Sequence, residues 1–144
     1  KDSDQKEYHR KSKKKKGGSF MIEQSKAKPD VLSATTIIGD EVRNLQGEDI
    51  GEIEELMINI NDGCIAYAVL SFGGLLGIGD KLFAVPWKAL RMRPEEHAFV
   101  MDIRKEKLEQ APGFDKDNWP NMSDIDWANR VNSFYGITGS KLQS

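Results

Sequence analysis

The chain has 144 residues, 38% of them hydrophobic, with 21 Lys/Arg against 23 Asp/Glu and a formal net charge of −2. That is apolar material for one domain with a modest core, and no apolar run approaches the ~18 residues of a membrane-spanning helix. The charged N-terminus is followed by no apolar h-region, so no secretory signal is read there, and the one cysteine, Cys64, excludes an internal disulfide. A reducing, cytoplasmic setting is the expectation.

Charge divides the chain unevenly. Residues 1–20 hold eight Lys/Arg and three Asp/Glu, a net of +5, so the other 124 residues carry −7. The segment has no apolar periodicity and ends in Lys13–Lys16 and Gly17-Gly18-Ser19. Such composition buries too little to fold, and residues 1–30 are read as a disordered basic tail or linker. A phosphate or anionic-lipid anchor is the functional reading of the Lys run. A solvated or vector-derived tail, with Met21 as the native start, is the bland one.

Ile37 to Asn44 reads as the first strand, and a turn at Gln46-Gly47 leads into a second, Ile50 to Ile60. Within it Ile53 and then Leu56, Ile58 and Ile60 are apolar, so the in/out phase slips by one at Glu54-Glu55. A one-residue slip is what a β-bulge makes, and bulges bend strands so that a small sheet can close. Leu56, Ile58 and Ile60 are then predicted to face inward.

Asn61-Asp62-Gly63 supplies a hairpin turn, because Asp and Gly tolerate positive φ. The run Cys64–Phe72 behind it is apolar on both faces, with Ile65, Tyr67 and Val69 on one and Ala66, Ala68, Leu70 and Phe72 on the other. A half-exposed antiparallel strand would alternate, so either the C-terminal segment or a second subunit must cover its outer face. Cys64, inside this run, reads as a small buried core residue.

A glycine loop, with Gly73-Gly74 and Gly77-x-Gly79, leads to the strand Leu82–Trp87, whose Pro86 marks an edge or an end. Lys88–Met92 is a short turn or the exit from that strand, and His97–Ile103 resumes alternation with Phe99, Met101 and Ile103 on one side. Arg104–Gln110 allows two helical turns, stopped by Pro112-Gly113, and Phe114–Met122 is a loop. Ser123 reads as the N-cap of a helix, with Trp127, Val131 and Phe134 in one apolar stripe and Gly136 as its stop. The remaining Ile137–Ser144 reads as frayed.

Little here suggests chemistry. The glycines 73–79 precede a strand, whereas a phosphate-binding loop must open a helix. His9 and His97 are too few and too far apart for a metal cage, and Asn59, Asn61 and Asp62 miss the calcium-loop spacing. Glu52, Glu54 and Glu55 read as a solvated strand face rather than an acid–base pair, and no nucleophile elbow is present. No catalytic residue, metal or cofactor is assigned, and the chain is not read as an enzyme.

The ordered set Gly51, Phe72-Gly73-Gly74, Gly77-x-Gly79 and Val85-Pro86-Trp87 with Leu90 resembles the PRC-barrel family, over roughly Ser33 to Ile103. That small β-barrel occurs in the photosynthetic reaction-centre H subunit and in a bacterial ribosome-maturation factor. The segment Ala111 to Gly136 is similar to an extension on stand-alone bacterial members. The resemblance implies a compact barrel used for macromolecular contacts, with no catalytic residues to carry over.

The reading is therefore mainly β: an antiparallel PRC-type barrel over residues 31–103 with a C-terminal helical extension over 104–144. Its expected role is a non-enzymatic interaction or assembly module. A homodimer is expected through the outer face and the extension, with Tyr67, Val69, Trp87, Trp119, Trp127 and Phe134 as the interface, and a further protein partner. An RNA- or ribosome-linked assembly factor is the alternative, opposed by the domain's acidity. No DNA partner and no membrane span are expected.

Overall fold

The computed structural model describes residues 31–72 and 81–137. The expectations for the basic tail, for the glycine loop and for the chain beyond Ile137 lie outside the described residues. A short helix α1 (Ala34–Ile37) leads into β1 (Glu41–Asn44), followed by β2 (Asp49–Asn59), β3 (Cys64–Ser71) and β4 (Lys81–Pro86). A 3-10 turn at Trp87–Ala89 gives β5 (Leu90–Arg93), and a second at Pro94–Glu96 gives β6 (Ala98–Met101). Then come α2 (Lys105–Leu108), β7 (Gly113–Asp115) and α3 (Ile125–Phe134).

The seven strands form one sheet in the order β5-β6-β1-β2-β3-β4-β7. Two expectations are corrected here. The sheet is mixed rather than antiparallel, because β6 lies parallel to β1, with Val42 opposite Phe99. Nor does the hydrogen-bonded ladder close into a barrel, since β5 and β7 stand at its ends.

The sheet is nevertheless curled, and the chain itself forces this. Flat, β4 and β5 would stand five strand spacings apart, about 24 Å at ~4.8 Å each. From Pro86 to Leu90 the chain has four Cα–Cα steps, at most about 15 Å. Pro86 ends β4 because it has no N–H to continue the ladder, and Trp87 then turns in to lie 5.5 Å from the Phe99 ring.

The concave side holds the main core, with Val42, Ile50, Ile53, Ala68, Leu70, Phe72, Phe83, Val85, Phe99 and Met101 from the strands and Leu108 from α2. The phase slip in β2 is present: Ile53 pairs with Leu70 and Glu55 with Val69, leaving Glu54 as the extra residue. Gly51 is fixed by its surroundings. Its φ is +139°, and a Cβ there would stand 2.6 Å from the Ser71 carbonyl and 2.7 Å from the Phe72 ring.

Candidate interaction surface

Strand β3 carries the two apolar faces that the sequence predicts. Ala68 and Leu70 belong to the concave core. Tyr67 and Val69 belong to a second cluster on the convex side, with Leu82, Ala84, Phe114 and Val131. The chain supplies the cover for that side itself. Helix α3 begins at Asp124, whose carboxylate accepts from the Asp126 N–H at 3.1 Å, one residue after the expected cap Ser123. It ends in a Schellman arrangement, with Gly136 at φ +75° and the Ile137 N–H donating to the Asn132 carbonyl at 2.8 Å. Val131, one position of its stripe, is 1% exposed against the convex cluster.

Strand β7 completes the cover. The sequence reading takes its residues as part of a stop and a loop, but three residues pair with β4, Phe114 opposite Leu82. Three residues are too few to show a period of two, so their pairing is a tertiary decision.

The six residues read as an interface are distributed as follows. Tyr67 and Val69 lie beneath the extension, 4% and 0% exposed. Trp127 is half-buried and meets the Tyr67 ring edge-on at 5.3 Å. Trp119 lies on Phe114 at 5.0 Å, donates from Nε1 to the Lys116 carbonyl, and keeps 40% of its surface exposed. Trp87 and Phe134 are half-buried against the concave core, and the Lys107 ammonium stands 5.2 Å from the Phe134 ring. Tyr67, Trp127 and Trp119 thus share the convex side, while Trp87 and Phe134 belong to the other.

Two phenols are perturbed. Burial pushes the Tyr67 hydroxyl up, an effect that the neighbouring Asn132 side chain partly offsets. Burial alone pushes Tyr135 up much further. The Tyr135 hydroxyl is buried and finds no hydrogen-bond partner among the described residues.

Charge is segregated. Residues 31–72 hold eight Asp/Glu and one Lys/Arg, Arg43. Arg43 bridges Glu96 at 2.9 Å and Glu41 at 3.4 Å. Glu52, Glu54 and Glu55 are exposed on β2, as a solvated strand face should be. Among the described residues no group of three or more His, Cys, Asp or Glu is placed to hold a metal ion. No helix there is long and apolar enough to cross a membrane.

The surface that the sequence reading misses is the far end of the β2–β3 hairpin. The turn forms at Asp62-Gly63, with Gly63 at φ +77° and its N–H on the Asn59 carbonyl at 2.7 Å. Neighbouring strands do not follow the hairpin to its tip. β1 pairs with β2 only as far as Glu52, and β4 pairs with β3 only from Tyr67 onward. A second register shift after Met57 sets Ile58 opposite Ile65, with Ala66 as the extra residue. The hairpin therefore projects past the core as a two-stranded ribbon. Three expectations fall with it: Ile58 is 53% exposed, Ile60 is 90% exposed, and Cys64 is exposed rather than in the core. An apolar pattern names the residues that want cover; it does not say how far the covering layer extends.

The family model described as PRC-barrel domain matches residues 29–108, more than half of the chain. No curated protein matches the chain.

Proposed function

The chain belongs to the PRC-barrel domain family, and we propose that it is a non-enzymatic protein-interaction module that associates with itself. The observation that carries this is the apolar surface left over. After the chain has closed both faces of its own sheet, Ile58, Ile60, Trp119 and Ile125 remain 53%, 90%, 40% and 56% exposed. Large apolar side chains left exposed on a small domain mark contact surfaces, and the two on the β2–β3 hairpin, Ile58 and Ile60, are neighbours on one element.

Sedimentation of the full chain at micromolar concentration tests it. The expected mass is twice the 16.2 kDa of one chain. A monomer up to about millimolar concentration, the weak end of the affinity scale, overturns self-association.

The alternative, an RNA- or ribosome-linked assembly factor, meets an electrostatic obstacle. Residues 31–72 hold one guanidinium against eight carboxylates, of which Asp40 alone is buried, and such a surface repels phosphate. Salt-dependent RNA binding by the full chain would restore that reading.

A further inference from the structure

We infer that the projecting β2–β3 ribbon is the self-association element, and that its occupant is the same ribbon of a second copy, paired antiparallel through β3. This deepens the reading above and rests on it.

The first argument is that the ribbon is incomplete. Before Tyr67, β3 pairs only with β2 among the described residues, since β4 joins it no earlier than Tyr67. A two-stranded ribbon alone is marginal in water, and three or more strands are needed for a stable layer. Here the ribbon also carries Ile58 and Ile60 into solvent.

The second argument selects the occupant. Of the two ribbon edges, β2 enters with Glu54 and Glu55 and is uncharged from Leu56 to Asn59, whereas β3 is uncharged throughout, at Cys64, Ile65 and Ala66. The sheet's own end strand β5 is guarded by the exposed Arg91 and Arg93. Two copies of β5 paired about a twofold axis would set arginine against arginine, which sheets disfavour. The β3 edge has no charged residue between Gly63 and Tyr67.

The third argument is register. Ile58 stands directly opposite Ile65 within the hairpin. A twofold axis at Ile65 therefore builds one cross-strand row of Ile58, Ile65, then Ile65 and Ile58 of the second copy, on one face of a four-stranded sheet. β-branched residues in directly opposed pairs are what a sheet face prefers. The contact is isologous and closes at two copies.

The test compares three full-length proteins by sedimentation, with thermal melting to confirm folding. Ile58→Lys places a charge at an exposed site, so the fold stands while dimerisation weakens by at least tenfold. In the double variant Cys64→Ser, Ile65→Cys the new thiols face each other across the axis, and mild oxidation should give a disulfide-linked dimer. Arg91→Ala, an exposed residue of the sheet's end strand β5, should leave dimerisation as it is. A dimeric wild type whose dimer survives Ile58→Lys, with no cross-link through position 65, overturns the ribbon contact and leaves self-association standing. A monomeric wild type overturns both.

Discussion

Replacing Gly51 with alanine probes the narrowest place in the fold. Its φ of +139° lies in a region reserved for glycine, and holding alanine there costs about 1–3 kcal/mol. The added methyl would also stand 2.6 Å from the Ser71 carbonyl and 2.7–2.8 Å from the Phe72 ring, an overpacking of about 1–3 kcal/mol. Together these come to roughly 4 kcal/mol, a large part of the 5–15 kcal/mol that holds a domain folded. At about 4 °C per kcal/mol for a domain near 100 residues, the melting temperature should fall by about 15 °C. Gly39→Ala is the control: φ there is +101°, but nothing lies within 4 Å of the new Cβ, so only the backbone strain is added. Calorimetry on both variants separates the two causes. Equal melting temperatures for Gly51→Ala and Gly39→Ala would refute the close-approach argument, because Ser71 and Phe72 would then have yielded without cost.

Tyr135→Phe removes a buried hydroxyl that has no partner among the described residues, so stability at pH 7 should hold or rise by about 1 kcal/mol in urea titration. The same variant should flatten the alkaline limb of stability. Tyr135 and Tyr67 have folded pKa values above their ordinary 10.0, so their contribution is complete below pH 10 and is lost as pH rises through the folded values. The slope is up to about 1.4 kcal/mol per pH unit for each phenol. Trp127→Ala opens the convex cluster beside Tyr67 and should cost about 2–3 kcal/mol, less than a fully buried Trp because the ring is half-exposed. Asp124→Ala removes the α3 cap and should cost about 1 kcal/mol; a loss above 3 kcal/mol would show that the cap also holds the extension on the sheet.

What the sequence discloses is mostly what local geometry decides. Asp62-Gly63 names its turn, Glu54-Glu55 its bulge, Pro86 the end of β4 and Gly136 the end of α3, because each is a matter of φ, donors or phase over a few residues. The apolar stripe of α3 and the double face of β3 are legible for the same reason. The parallel seat of β6 beside β1 is not, since no residue in either strand encodes which neighbour it will find. Nor is β7, too short for a period. Cys64, Ile58 and Ile60 fail in a more instructive way. Their apolarity reads as a sign of cover by this chain, but in the folded chain the cover runs out at Met57 on one strand and Ala66 on the other.

Curling of the sheet and exposure of the ribbon are one event at Pro86. Lacking an N–H, Pro86 cannot carry β4 further along β3. The chain turns at Trp87, the ring goes onto Phe99, and Leu90 starts a strand at the opposite end of the ladder. That turn curls the sheet around its core, and it also takes away the strand that would have paired Cys64 to Ala66. Extending β4 to cover them would undo the turn and draw Trp87 off Phe99. In the dimer proposed above the strand beside Cys64 to Ala66 comes not from β4 but from a second β3, with Ile65 opposite Ile65.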